Sequence, residues 1–316
     1  MQHTVTTSAD GSSTLQLTQF GEAYHSTNGA YTEATHIYIR CGLEHLFRNI
    51  APACTAEETS AGTAASATTC RPVINIFDVG LGTGLNCILA WVWQQQLRQK
   101  GLPYPRIHYW GIEKYPIPLP EIEQLNYPSI IAQHTSLLPD NLAKVFHFMH
   151  KCQWEENVAV PEVPYLSHSG NKITSRCATT AESPLSGNKC ANGCATNYGI
   201  FDSVKDYREE DFVLHKSCAD IAVLGAEYYR KACCMEENFC NTFPAVVFYD
   251  TFSPATQPEL WDESIFRNIA AGCPAGSVLV TYCSKGTVKQ ALRNAGFTLE
   301  RLAGPPGKRH ILRGTL

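Results

Sequence analysis

The chain has 316 residues, enough for one large domain or two small ones, and its apolar content of 44% is ordinary for a globular protein. A net charge of −4 gives no overall attraction to nucleic acid, and no apolar run approaches the roughly 20 residues that span a bilayer. The polar stretch 1–10 lacks a signal-peptide core, so the sequence predicts a cytoplasmic protein with no membrane partner.

The first part of the chain is predicted to form a small lobe over 1–50 that packs on the main domain. Residues 15–40 alternate in polarity around a turn at Thr27–Gly29, which predicts short strands. A helix is expected from Ile37 to Phe47. The small polar residues of 51–69 are typical of a loop.

From residue 72 to 316 apolar runs alternate with amphipathic segments, which predicts a largely parallel sheet with helices on both faces. The predicted strands are 73–79, 106–112, 211–216, 245–249, 276–282, 297–302 and 309–313. Helices are expected after 84, in segments from 121 to 150, and over 258–271 and 287–295. A polar stretch, 153–204, is predicted to be an irregular insertion within this domain.

Fourteen cysteines are present, and in a chain of this size most are expected to be free thiols. Cys177, Cys190 and Cys194 lie in the insertion, where zinc would need Cys152 or His168 as a fourth ligand. Because their spacing matches no reliable zinc pattern, we expect no metal and interpret the segment as a thiol-containing insertion.

The most informative motif follows the first buried strand of the main domain. It runs from Asp78 through Gly80, Gly82 and Gly84 to Asn86, at the start of a helix. Glycines at alternate positions let the backbone approach a ligand closely, and the following helix offers free N–H groups. The spacing departs from the dinucleotide fingerprint and resembles motif I of S-adenosylmethionine-dependent methyltransferases. A tight structural turn without a ligand is the alternative.

Three acids follow later strands. Glu113 ends the second strand of this domain, Asp220 follows the third and Asp250 follows the fourth. Because ligands of open α/β sheets bind beyond the carboxyl ends of the strands, we expect these acids to meet the glycine turn. A carboxylate at Glu113 is suited to bind both hydroxyls of a ribose.

The stretch Asp250–Pro254 is the candidate catalytic segment. Asp250 is suited to bind an amine and accept its proton, so that the nitrogen lone pair can attack a sulfonium methyl. Phe252 is suited to stack on a planar base or to stabilise a cationic methyl group. Alternatively, Asp250 only caps a helix that begins near Thr256.

These motifs together resemble the tRNA 5-methylaminomethyl-2-thiouridine methyltransferases, which occur as half of a bifunctional wobble-uridine enzyme and as stand-alone proteins. The matching pieces cover most of the chain outside 51–71 and 153–204. In chain order they are Tyr24–Glu33, Gly80–Asn86, Glu113–Pro116, Asp250–Pro254, Pro258–Trp261, Phe266, Gly286, Ala295–Phe297 and Gly304–Arg309.

The resemblance implies a Rossmann-like class I methyltransferase with a mostly parallel seven-stranded sheet. It implies methyl transfer from S-adenosyl-L-methionine to the aminomethyl nitrogen of wobble uridine 34, with Asp250 as the catalytic acid group. Glu113 would hold the ribose and Asp220 the adenine amine. Thr251 stands where a smaller residue is usual. With no oxidoreductase half in the sequence, we expect a stand-alone form whose pathway uses a separate oxidoreductase.

From residue 285 onward there are seven cations against one acid, Glu300, which is consistent equally with a local surface for anticodon-loop phosphates and with a solvated face. Lys308 and Arg309 are the candidate phosphate contacts, and His25, Tyr31 and Glu33 are the candidate lining of a pocket for the flipped base. The equal alternative is that Tyr31 packs in the core and that His25 is an ordinary polar residue. Two other functions stay open: a small-amine methyltransferase or aminopropyltransferase, and a non-catalytic RNA-binding or cofactor-sensing module.

Overall fold

A computed structural model describes residues 3–18, 21–56, 71–155, 157–159, 211–234 and 244–316. Their main feature is an eight-stranded sheet with the order β5-β6-β4-β3-β7-β8-β10-β9. Its strands are β3 Val73–Val79, β4 Arg106–Glu113, β5 Asn157–Ala159, β6 Phe212–Cys218, β7 Val246–Tyr249, β8 Val278–Thr281, β9 Thr298–Ala303 and β10 His310–Thr315. A separate hairpin joins β1, His3–Thr7, to β2, Ser13–Leu17.

The predicted fold class is confirmed. Strands β6, β4, β3, β7 and β8 run parallel, and β10 is antiparallel to both β8 and β9. All seven residues of β3 are buried, as expected for a central strand covered on both faces. The carboxyl ends of the parallel strands therefore lie along one edge of the sheet.

Successive residues of the central strands serve two separate apolar cores, because side chains alternate between the faces of a sheet. Ile74 and Ile76 pack on one face, and Phe77 and Val79 pack on the other. The first face is covered by the helices α1 Ala30–Ala34, α2 His45–Ala56, α3 Leu85–Gln99, α5 Tyr127–Gln133 and α6 Pro139–Lys151, and α4, Leu119–Ile122, lies beside them. The second face is covered by α7 Ala226–Cys233, α8 Glu263–Gly272 and α9 Gly286–Asn294.

The N-terminal prediction is partly wrong. Strands were expected throughout 15–40, but the chain is helical from Ala30, and a π-helix spans Thr35–Glu44 between α1 and α2. The buried positions Ala30, Ala34 and Ile37 recur at helical rather than alternating spacing. The segment is too short for its polarity pattern alone to distinguish a helix from a strand. The helix also continues to Ala56, into the stretch expected to be a loop, and 57–69 lies outside the described residues.

The π-helix lies directly on the sheet, and Gly42 makes this approach possible. A Cβ atom on Gly42 would lie 2.8 Å from Cγ2 of Val280 and 3.3 Å from Cγ2 of Val246. Any side chain there would push the helix away from β7 and β8. The N-terminal segment is thereby held against the strand that carries Asp250.

The insertion predicted over 153–204 begins with structure rather than irregularly. Strand β5 adds antiparallel to the edge of β6, so the sheet has one more strand than the seven predicted. Cys177, Cys190, Cys194 and His168 lie outside the described residues. Cys152 donates its thiol hydrogen to the Met149 carbonyl at 3.1 Å. Among the described helices, none is long and apolar enough to cross a bilayer.

Candidate active site

The glycine turn between β3 and α3 is held by the ends of two neighbouring strands. The Gly80 and Leu81 N–H groups both donate to the Ile112 carbonyl at 3.0 Å. Gly80 has a φ of +93°, and a Cβ atom there would lie 2.7 Å from the carbonyl oxygen of Asp250. Glycine is therefore required at position 80 by backbone conformation and by the close approach of the β7 end.

The other two glycines of the turn pack against side chains from elsewhere. A Cβ atom on Gly82 would lie 2.9 Å from the Tyr24 ring, and one on Gly84 would lie 2.6 Å from Nε2 of His150. The turn is consequently enclosed by the N-terminal segment on one side and by α6 on the other.

A cavity of about 190 Å³ opens at the carboxyl ends of the parallel strands. It brings together six residues that the sequence selected: Gly80, Gly82, Glu113, Asp220, Asp250 and Phe252. Glu113 and Asp250, which the hypothesis requires to share one site, line the same cavity. Tyr24, Lys114, Tyr115 and Thr251 line it as well.

Glu113 is fixed by backbone donors on both carboxylate oxygens. Its Oε2 accepts from the Gly82 N–H at 3.0 Å and its Oε1 from the Tyr115 N–H at 2.8 Å. Burial raises the pKa of Glu113, and these two N–H groups offset part of the rise. Each oxygen keeps a second lone pair, so the carboxylate can accept further hydrogen bonds from ligand hydroxyls.

Asp220 already has two partners. Its Oδ1 accepts from the Ala222 N–H at 3.0 Å, and its Oδ2 pairs with the Lys114 ammonium at 2.6 Å. Burial alone raises the pKa of Asp220, but Lys114 and the Ala222 N–H outweigh it and lower the pKa. Asp220 therefore caps the helical turn Ile221–Val223, and its ion pair with Lys114 was not predicted from the sequence.

Asp250 is nearly buried, with 8% of its side chain exposed. The Asn86 amide donates to Oδ2 at 2.9 Å, and Nδ1 of His25 lies 3.9 Å from the same oxygen. Burial raises the pKa of Asp250, while Tyr38, Asn86 and Lys308 partly offset that rise. The helix-cap interpretation of Asp250 is wrong, because the helical turn that follows it, Pro258–Trp261, begins after Gln257 and has no side-chain cap hydrogen bond. The next helix, α8, is capped by Asp262, which accepts from the Ser264 N–H.

Asp78 lies beneath the turn and does not line the cavity. The Tyr109 hydroxyl donates to its Oδ2 at 2.5 Å, and the Asn86 amide lies 3.5 Å from its Oδ1. Burial raises the pKa of Asp78 well above the ordinary range, and nearby Asp250 contributes to the rise. Asn86 therefore bridges two buried acids, and the cofactor-binding roles of Asp78 and Asn86 stay predictions.

The turn after Asp250 is anchored by remote residues. The Tyr282 hydroxyl donates to the Thr251 carbonyl at 2.9 Å, and Trp261 Nε1–H donates to the Phe252 carbonyl at 2.9 Å. The Phe252 ring meets the Tyr24 ring edge-on, with centroids 5.0 Å apart. Phe252 thus has a fixed position at the cavity wall.

The candidate acceptor residues divide into two groups. Glu33 forms an ion pair with Lys308, whose ammonium lies 4.6 Å from the Tyr282 ring centroid, near Asp250 and His25. Tyr31 stacks instead on His134, with centroids 4.7 Å apart, and Arg309 is exposed. The roles proposed for these residues stay predictions. Glu22, Tyr38 and Thr83 also contact this region. Sequence reasoning missed Glu22 and Tyr38, because their contacts join residues that are far apart in the chain.

Comparisons with known proteins support a methyltransferase fold. A family model described as S-adenosyl-L-methionine-dependent methyltransferase matches residues 227–316. Two curated relatives are named tRNA 5-methylaminomethyl-2-thiouridine biosynthesis bifunctional protein MnmC. The one from Legionella pneumophila (strain Corby) is 22% identical over 93% of this chain and 34% of its own length. The one from Azoarcus sp. (strain BH72) is 24% identical over 94% and 33%.

A solved structure, titled crystal structure of MNMC2 from Aquifex aeolicus, aligns with all of this chain and 71% of its own, with a TM-score of 0.55 and 20% identity. That likeness shows the fold. The sheet has the Rossmann-like class I methyltransferase fold, and the glycine turn and the acid-lined cavity lie at the carboxyl ends of its parallel strands. Residues 227–316 match that family model, and the chain as a whole is similar to the MnmC-named relatives. It spans about a third of the length of the curated relatives it matches.

Proposed function

We propose that this protein transfers a methyl group from S-adenosyl-L-methionine to the aminomethyl nitrogen of 5-aminomethyl-(2-thio)uridine at wobble position 34 of tRNA. The observation that carries the proposal is the shared cavity, in which Asp250 and Phe252 face the same space as Glu113 and the glycine turn. The names of the curated relatives support the choice of acceptor.

The residues fit this cofactor. Glu113 keeps lone pairs that suit ribose hydroxyls, and Asp220 lies at the same wall, where its carboxylate suits an adenine amine. Because the Lys114 ammonium pairs with Asp220, adenine binding has to share or displace that ammonium. Gly80 and Gly82 provide backbone close to the ligand. The cofactor supplies a methyl group on a positively charged sulfur, which is a strong electrophile.

Asp250 is the group that prepares the acceptor. Its carboxylate receives the aminomethyl ammonium, accepts or relays one of its protons, and leaves a nitrogen lone pair directed into the cavity. As the N–C bond forms, the S–C bond breaks and its electron pair stays on sulfur. Phe252, fixed against Tyr24, is positioned to stack on the uracil ring. Most of the rate acceleration comes from orientation.

Binding of tRNA is proposed to use the C-terminal cations that lack acidic partners among the described residues. Lys308 pairs with Glu33, and Arg313 pairs with Glu300 at 2.9 Å. Lys285, Arg301 and Arg309 are exposed, which suits contacts with anticodon-loop phosphates. We also propose that a separate oxidoreductase acts in the same modification pathway. The location proposed for the protein is the cytoplasm.

The decisive experiment supplies the protein with labelled S-adenosylmethionine and tRNA carrying 5-aminomethyluridine, followed by nucleoside analysis. We expect label in 5-methylaminomethyluridine at position 34. Polyamines and unmodified tRNA are incubated in parallel. Label in polyamine alone would make the protein a small-amine methyltransferase, and no transfer to any acceptor would favour a binding module.

A further inference from the structure

His25 is buried between the glycine turn and Asp250, where it touches both. Its side chain is 8% exposed. Nε2 lies 2.7 Å from the Thr83 hydroxyl, and Nδ1 lies 3.9 Å from Oδ2 of Asp250. A residue enclosed in this way is poorly placed to bind an incoming base, which was its expected role.

The contacts of Thr83 and of Asp250 together favour the tautomer of His25 that carries its hydrogen on Nδ1. The Tyr127 hydroxyl donates to the Thr83 hydroxyl oxygen at 3.0 Å, which leaves the Thr83 hydrogen free to point at Nε2 of His25. The imidazole hydrogen then sits on Nδ1 and faces the carboxylate. The opposite tautomer would direct the Nδ1 lone pair at an anionic oxygen, which is repulsive.

We propose that His25 is a positioning residue for methyl transfer: its neutral imidazole, oriented by Thr83 and Tyr127, donates Nδ1–H to Asp250 and fixes the carboxylate toward the acceptor nitrogen. This inference rests on the proposed function, since it needs Asp250 to be the group that handles the acceptor. The distance of 3.9 Å exceeds a hydrogen bond, and such contacts tighten when substrate binds.

The charge state of His25 agrees with positioning rather than proton transfer. Burial lowers the pKa of His25 to about 4, with Glu33 raising it and Lys308 lowering it further. The imidazole is therefore neutral at pH 7 and a weak base. Around Asp250 the other ionisable groups that interact with it are Asp78, Tyr38, Tyr109, Tyr127, Tyr282 and Lys308.

The two nitrogens can be tested separately. His25→Asn keeps an amide donor near the Nδ1 position, and His25→Gln keeps one near the Nε2 position. We expect His25→Gln to lower kcat by between about 10-fold and 100-fold, and His25→Asn by only about threefold. The Kd for S-adenosylmethionine should change little in either variant. The acidic limb of the pH profile should move to higher pH in His25→Gln, because Asp250 loses a donor to its ionised form.

Two further variants keep the test decisive. His147→Gln alters a histidine that is 45% exposed on α6 and should leave kcat and the pH profile unchanged. Tyr127→Phe removes one hydroxyl and should shift the profile in the same direction as His25→Gln, even if the His25 variants fail to fold.

Equal kcat in His25→Asn and His25→Gln, or an unshifted profile in His25→Gln and Tyr127→Phe, would overturn the inference. Failure of the wild-type protein to methylate tRNA would instead overturn the proposed function, so the two failures are distinguishable.

Discussion

The cavity has a cofactor end around Glu113, which backbone groups form, and an acceptor end around Asp250, which side chains form. At the cofactor end, backbone N–H groups from Gly82 and Tyr115 hold Glu113, and the whole arrangement comes from adjacent strand ends. At the acceptor end, buried side chains from distant parts of the chain surround Asp250, and the ion pair between Glu33 and Lys308 joins residues 275 positions apart. At the cofactor end, where backbone groups make the contacts, we expect substitutions to be harmful mainly when they add volume. At the acceptor end, where side chains make the contacts, we expect the loss of a single functional group to be harmful.

Asp250 lies where the two ends meet, and its replacement should have the largest effect. Asp250→Asn keeps the shape and the contact with Asn86 but removes the charge that receives the acceptor. We expect kcat to fall by about 1,000-fold with little change in cofactor Kd. Asp262→Asn is the matched control, because Asn also caps helices well. Undiminished turnover in Asp250→Asn would remove Asp250 from the mechanism.

Gly80→Ala tests the cofactor end. The new methyl group would meet the Asp250 carbonyl oxygen in a left-handed backbone conformation, at a cost of about 2–3 kcal/mol in stability. We expect S-adenosylmethionine affinity to fall by at least about 10-fold, because the turn must move, as measured by calorimetry together with urea unfolding. Gly286→Ala, where a Cβ atom meets nothing within 4 Å, is the control. Equal stability in the two variants would contradict this account.

Much of the cofactor end could be predicted from the sequence, because its signals are local. A glycine turn follows an apolar run, and each acid follows its own strand, so periodicity alone brings Gly80, Glu113 and Asp250 to one edge. The same local patterns predicted a largely parallel main sheet. Of the strands described in that sheet, they missed the short edge strand β5.

The acceptor end could not be predicted in the same way, because its contacts depend on packing. Nothing in residues 30–44 distinguishes a π-helix from an α-helix, yet that helix directs Tyr38 toward Asp250. The sequence predicts a phosphate contact for Lys308 and strands around Glu33, whereas the structure places Glu33 on α1 and pairs it with Lys308. The side chains around Asp250 are therefore brought together by tertiary contacts such as the Glu33–Lys308 ion pair. A short segment of sequence contains no sign of such contacts.

Lys308 tests the electrostatics of the acceptor end. Its ammonium lowers the pKa of Asp250 against the effect of burial, so removing the charge should raise that pKa. Transfer requires ionised Asp250 and is lost as pH falls through its pKa, so the acidic limb of Lys308→Met should begin at higher pH. On that acidic limb we expect about a fivefold lower kcat/KM than in the wild type at the same pH. Lys308→Arg keeps the charge and should largely restore the profile; an unshifted limb in Lys308→Met would refute the coupling.

Arg309 should have the smallest effect, and its test separates binding from chemistry. Arg309 is exposed and lies next to Lys308, which pairs with Glu33. The Arg309 guanidinium can therefore contact a phosphate in solvent, whereas the Lys308 ammonium is held by Glu33. Arg309→Ala should raise KM for tRNA about threefold at unchanged kcat and reduce the salt dependence of binding by about one phosphate contact. Arg267→Ala, on α8 and paired with Glu263, is the control. If Arg309→Ala and Arg267→Ala bind tRNA alike across a salt series, the tRNA reaches the acceptor end from another face of the protein. The C-terminal cations are then ordinary solvated surface charges.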